Sequence, residues 1–91
     1  MTDRLRLVVV DHDPAHRATV KEALEQSLDT EVVEAGTPDE AFLAIAAAPT
    51  DCVLIDQDLP HKGALVTVIE LRGDRNPVPI LLVTGLQDED L

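Results

Sequence analysis

Asp51-Cys52-Val53-Leu54-Ile55-Asp56-Gln57-Asp58-Leu59-Pro60 is the stretch from which the rest of the chain is read. Cys52 to Ile55 are four apolar residues in a row, the pattern of a strand buried on both faces in the middle of a parallel sheet. The run stops on a carboxylate, Asp56, followed by polar residues and a proline. In an open α/β sheet, ligands bind outside the carboxyl ends of the strands, so Asp56 stands where chemistry is expected.

Upstream, Thr37-Pro38-Asp39-Glu40 is a capping box with proline at the first helical position. The helix it opens is expected from Pro38 to about Ala47, burying Ala41, Ile45 and Phe42, with Pro49 ending it. Thr30 to Glu34 reads as a short strand broken by Ala35-Gly36. Before it, Asp13 as cap and Pro14 at the first position start a helix running to about Leu28. Val20, Ala23, Leu24 and Leu28 share its apolar face, while Arg17, Lys21, Glu22 and Glu25 are expected to face water. The β-branched run Leu5 to Val10 is the first strand.

Downstream, the loop His61-Lys62-Gly63 leads to a helix of about Ala64 to Arg72, with Leu65, Val68, Ile69 and Arg72 at helical spacing. After a loop at 73–77, Val78 to Val83 is a fourth apolar strand, its Pro79 tolerated near the start. It ends on Thr84-Gly85, and residues 86–91 read as the beginning of a helix whose acidic first turn is Asp88-Glu89-Asp90. The order β-α-β-α-β-α-β implies a parallel sheet with helices on both faces and right-handed crossovers.

Ninety-one residues suit one small domain, residues 1–91. Phe42 is the single aromatic residue, so the core is aliphatic. No apolar run is long enough to span a bilayer, and Met1-Thr2-Asp3-Arg4 lacks the layout of a signal peptide, so a cytoplasmic location without membrane attachment is expected. The lone Cys52 reads as a small core residue. A net charge of −11 argues against a nucleic-acid surface and suits a protein that holds a cation or meets a basic partner.

Three strands end on polar residues: the first on Asp11-His12-Asp13, the third on Asp56, the fourth on Thr84. In a parallel sheet these ends share one edge. Carboxylates meeting in one crevice repel unless a cation sits between them, and oxygen ligands suit Mg²⁺. A carboxylate in such a place can act as a nucleophile toward phosphorus, and the Thr84 hydroxyl could hydrogen-bond the added group. His12 and His16, four residues apart, read as solvated histidines because His12 precedes the helix.

Val9-Val10-Asp11-His12-Asp13-Pro14, Leu54-Ile55-Asp56-Gln57-Asp58-Leu59-Pro60, Leu82-Val83-Thr84-Gly85 and the Val33-Glu34-Ala35-Gly36 turn together resemble the receiver domain of two-component response regulators. The resemblance covers essentially the whole chain, in order. It implies a flavodoxin-like fold with strand order 2-1-3-4, the fifth strand and last helix of the family being missing from a chain truncated after the fourth. It implies Asp56 as phospho-acceptor, receiving its phosphoryl group from a histidine kinase or phosphotransfer protein. Mg²⁺ would be held by Asp11, Asp56 and the backbone carbonyl of Asp58, and Thr84 would be the switch hydroxyl. The chain departs from the family where a second acid is usual: His12 stands there, imidazole is a poor Mg²⁺ ligand, and weak Mg²⁺ binding is the expectation. His12 itself or Asp13 could fill that ligand position, although Asp13 is also the helix cap. The loop after Leu59-Pro60 is about one residue short, and the lysine of the family's fifth strand is absent, with Lys62 as a distant substitute.

Two other readings stand beside this one. The first is a pseudo-receiver that is not phosphorylated and serves as an interaction or dimerisation module; His12 favours it. The second is an enzyme: Asp56-Gln57-Asp58 is similar to the Asp-x-Asp of haloacid-dehalogenase-type phosphatases, but Leu59-Pro60 replaces the Gly-Thr that follows it and the strand is the third, not the first. The chain is therefore read as no enzyme. An apolar fourth strand left at the sheet edge also predicts self-association.

Overall fold

The computed structural model describes residues 4–59 and 63–83. They form β1 (Leu5–Val10), α1 (Pro14–Ser27), β2 (Thr30–Ala35), α2 (Pro38–Ala47), β3 (Cys52–Asp56), α3 (Gly63–Gly73) and β4 (Ile80–Val83). The four strands make one parallel sheet in the order β2-β1-β3-β4. This is the flavodoxin-like arrangement expected from the alternation of elements. Register places Val10 opposite both Ala35 and Ile55, so β1, β2 and β3 reach the carboxyl edge together.

Alternation along the strands divides the apolar side chains between two layers. Val8, Val10, Val53 and Ile55 are fully buried on one face, packed with Ala41 of α2 and with Ala64 and Leu71 of α3. Leu7, Val9 and Val32 lie on the other face, covered by Val20 and Leu24 of α1, with Cys52 and Leu54 beside them. β1 and β3 are thus buried on both sides along Leu7 to Val10 and Cys52 to Ile55, and for that reason these stretches are unbroken apolar runs.

The helix starts follow their caps. Asp13 Oδ1 accepts from the Ala15 and His16 N–H groups at 3.0 and 3.3 Å. Thr37 Oγ1 accepts from the Glu40 N–H, and Glu40 Oε1 returns to the Gly36 N–H at 2.8 Å, one residue earlier than a simple capping box would place it. Gly63 opens α3 at φ 75°, a left-handed conformation suited to glycine.

Four details differ from expectation. The face of α1 that meets the sheet is narrower: Val20 and Leu24 pack on it, but Ala23 is exposed and Leu28, already in extended conformation as the C-cap, is 48% exposed. Arg17 does not face water; its side chain is 18% exposed and reaches Asp11 and Glu34. α3 is rotated relative to the spacing of its larger residues. Ala64, Thr67 and Leu71 are buried, with Val68 against the core, and Leu65 and Ile69 point outward at 68% and 59% exposure. Thr67 is admissible there because its hydroxyl donates back to the Gly63 carbonyl at 2.9 Å. Finally, β4 begins at Ile80 rather than Val78. The Val78 N–H is already bound to Asn76 Oδ1 at 3.0 Å, its carbonyl takes Arg72 Nη1 at 2.8 Å, and Pro79 has no N–H to offer.

Candidate functional site

β1 and β3 run side by side, so the residues that end them are neighbours. Asp11 follows β1, and its N–H continues the ladder to the Ala35 carbonyl at 3.0 Å. Its side chain is only 3% exposed. Oδ1 accepts the Asp13 N–H at 2.9 Å, and Oδ2 is bound by Nδ1 of His16. Arg17 Nη1 holds the Asp11 carbonyl at 2.7 Å while its Nε meets Glu34 at 3.2 Å, tying the loop after β1 to the end of β2. A buried carboxylate is tolerated when it is hydrogen-bonded, and here each oxygen has a partner.

Asp56 ends β3, half-buried, with Oδ1 accepting the Asp58 N–H at 3.0 Å. The Gln57 N–H is drawn to the Val83 carbonyl at 2.8 Å, which fixes the direction of the turn. Asp58 lies exposed in that turn. Asp11, His12 and Asp56 each offer one ligand atom, all within 4.8 Å of one another, a group that could hold a metal ion. His12 Nδ1 stands 3.9 Å from Asp11 Oδ1. Val9, Val10, Val20, Leu54 and Val83 form the apolar wall of the cleft into which Asp11, Asp56 and His16 face. Asp13 is committed to the cap of α1. Thr84, Lys62 and the segment 86–91 lie outside the described residues.

His16 is the residue whose partner sequence reasoning missed: it is solvent-exposed, as expected, yet its ring is bound to Asp11. No local pattern announces the contact, because residues five apart across a cap have no fixed relation until the first turn is built. The hydrogen bond with Asp11 pushes the His16 imidazole above its ordinary value, against some burial, and the charges of Asp11, Asp56 and Asp13 add to the push. For Asp11, burial works upward but is outweighed by the His16 hydrogen bond, the Asp13 N–H and the His16 charge, leaving its carboxyl below the ordinary value.

A pH dependence follows for the metal-free protein. The stabilisation due to His16 is complete below its ordinary value of 6.5 and is lost as pH rises through its raised folded-state value. The Asp11 contribution is present above 3.8 and is lost as pH falls through its lowered value. His16 is 45% exposed, so solvent screening holds the alkaline loss to about 1 kcal/mol or less. Urea denaturation in chelator at mildly acidic and mildly alkaline pH should show that loss, and His16→Gln should flatten it. An unchanged slope in His16→Gln would show that the ion pair contributes nothing.

The chain matches the family model described as the response regulator receiver domain over residues 7–91. The chain belongs to that family. It is similar to the protein-glutamate methylesterase/protein-glutamine glutaminase of Agrobacterium fabrum, 31% identical over 87 residues, which is 94% of this chain and 24% of that protein. The receiver chain thus spans about a quarter of the length of the curated relatives it matches. Among solved structures, a response regulator receiver protein from Pseudomonas putida superimposes with a TM-score of 0.84 at 21% identity, covering 99% of this chain and 75% of that one. The chemotaxis protein CheY4 of Vibrio cholerae gives 0.83 at 23% identity, covering 96% and 74%. These likenesses carry the fold. Receiver domains are in general non-enzymatic phospho-acceptors, bind Mg²⁺ at an acidic pocket and interact with histidine kinases or phosphotransfer proteins. Among the described residues no helix is long and apolar enough to cross a membrane.

Proposed function

We propose that this receiver domain takes a phosphoryl group on Asp56 from a histidine kinase or phosphotransfer protein in the cytoplasm. The supporting observation is the pairing of a half-buried Asp56 at the end of β3 with the buried, fixed Asp11 at the end of β1. A carboxylate oxygen of Asp56 attacks phosphorus, the bond from phosphorus to the donor nitrogen breaks, and the donor imidazole leaves as the acyl phosphate forms. A divalent ion between Asp11, Asp56 and the Asp58 carbonyl would neutralise charge on the transferring group. The two carboxylates fit Mg²⁺, the family's usual ion; His12 does not, so Mg²⁺ is expected to bind weakly. Thr84 is the proposed switch hydroxyl. Incubation with acetyl phosphate and Mg²⁺ followed by intact mass tests the reading. One phosphoryl adduct is expected, and its absence with folded protein would favour the pseudo-receiver.

Self-association belongs to the same proposal. Among the described residues β4 pairs on one side only, with β3, and Leu81 and Leu82 are 57% and 52% exposed. An apolar strand without a second neighbour is a template for pairing. Light scattering on the 91-residue chain should report a dimer or larger species, and Leu81→Lys should shift it toward monomer. A wild-type monomer across the micromolar range would remove this surface from the account.

A further inference from the structure

We propose that the cluster of Asp11, His12 and Asp56 at the carboxyl edge of the sheet is a mixed nitrogen–oxygen metal site, selective through His12 for a borderline first-row ion such as Co²⁺ or Zn²⁺ over Mg²⁺. The proposal rests on the reading of this cluster as the receiver's metal site, but not on Asp56 accepting a phosphoryl group.

Geometry carries the first part. The three candidate ligand atoms lie within 4.8 Å of one another, and His12 Nδ1 is 3.9 Å from Asp11 Oδ1. Two donors each about 2.0–2.1 Å from a tetrahedral zinc ion stand about 3.3 Å apart. Closing a gap of up to 4.8 Å onto one ion therefore takes up to about 1.5 Å of adjustment. The His12 side chain is 53% exposed, so its ring is free to make that adjustment, whereas Asp11 is buried and fixed.

Donor chemistry carries the second part. Mg²⁺ demands hard oxygen ligands in near-octahedral geometry and keeps several waters. Imidazole suits Zn²⁺, Co²⁺ and Ni²⁺ and adds little for Mg²⁺. Zinc accepts both imidazole nitrogen and carboxylate oxygen, and three protein ligands leave a fourth position for water or another ligand. His16 contributes without touching the ion. Its Nδ1 binds Asp11 Oδ2, holding that carboxylate with Oδ1 toward His12, the arrangement by which a hydrogen-bonded neighbour orients a metal ligand. Any site of this kind binds Zn²⁺ more tightly than Mg²⁺ to some degree. The content of the proposal is therefore the dependence of that preference on His12.

Chelator-treated protein is titrated calorimetrically with Co²⁺, Zn²⁺ and Mg²⁺ separately, as wild type, His12→Ala, His12→Asp and Asp56→Asn, each checked for folding by circular dichroism. His12→Ala should weaken Co²⁺ and Zn²⁺ by about tenfold or more while changing Mg²⁺ less than about threefold. His12→Asp should tighten Mg²⁺ by about tenfold and collapse the Zn²⁺/Mg²⁺ ratio. Proton spectra of the Co²⁺ form should show a hyperfine-shifted imidazole N–H that disappears in His12→Ala, and Asp56→Asn should weaken all three ions. Unchanged Co²⁺ and Zn²⁺ affinity in His12→Ala, or a shifted resonance that survives it, overturns the proposal, because the ion is then held elsewhere. A phosphoryl adduct with Mg²⁺ alongside that result would leave the receiver reading intact. His12-dependent Zn²⁺ binding without any adduct would sustain this proposal and sink phosphorylation.

Discussion

Asp56→Asn will take up no phosphoryl group from acetyl phosphate, while the wild-type chain gains one. The amide is close in size and shape to the carboxylate, and its Oδ1 can still accept the Asp58 N–H that Asp56 accepts at 3.0 Å. What it loses is the negative charge and the nucleophilic oxygen. The loss should be complete, because Asp11 is 2% exposed, with one oxygen on the Asp13 N–H and the other on His16, and cannot substitute as acceptor. The same substitution removes a charge beside Asp11, where two carboxylates repel in the absence of a cation. Metal-free Asp56→Asn should accordingly be at least as stable as wild type toward urea, by up to about 1 kcal/mol. That second readout separates loss of the acceptor from loss of the fold. An adduct that persists in folded Asp56→Asn, located by peptide mass to another residue, would show that the wrong carboxylate has been assigned.

The order of elements was legible because β1 and β3 are buried on both faces and so carry unbroken apolar runs, while Pro14, Pro38 and Thr37 mark helix starts with few alternatives. The position of Asp56 followed from the same logic, since a carboxylate after such a run can only stand at the strand end. Orientation was less legible for α3. Leu65, Val68 and Ile69 are apolar, and so are Ala64 and Leu71, so more than one helical face could have met the sheet. The face that won carries Ala64, Thr67 and Leu71, all buried, with Ala64 and Leu71 in the same core cluster as Val53 and Ile55 of β3. The contacts of His16 and Arg17 with Asp11 depend on where the first turn of α1 places two long side chains, and no spacing rule encodes that. Arg6 was the largest omission: in sequence it is one polar residue inside Leu5-Arg6-Leu7-Val8, and nothing there says what it holds.

Arg6→Met is expected to destabilise the domain by about 2–3 kcal/mol. The Arg6 side chain is 16% exposed although it belongs to the sheet. Its Nη1 lies 2.9 Å from the Ala44 carbonyl, 3.1 Å from the Ala48 carbonyl and 2.8 Å from Thr50 Oγ1, and its Nε is 3.5 Å from Glu31. α2 has no basic residue in its last turn and ends in an extended Ala48, so its terminal carbonyls lack helical partners. Arg6 supplies both the donors and the positive charge from the neighbouring strand. Methionine would keep much of the aliphatic stem and leave the Ala44 carbonyl and the Thr50 oxygen part-buried without the Arg6 donor, the Ala48 carbonyl keeping only the Thr50 hydroxyl at 3.2 Å. Arg6→Lys should recover only part of the loss, since one ammonium lacks the planar fork that reaches Glu31 and the helix end together. The urea midpoint should fall without a change in slope, measured at one protein concentration so that association does not enter. A shift worth less than about 0.5 kcal/mol would mean that water satisfies these groups as well as Arg6 does, and that α2 is held to the sheet by the apolar packing of Ala41, Phe42, Ala44 and Ile45.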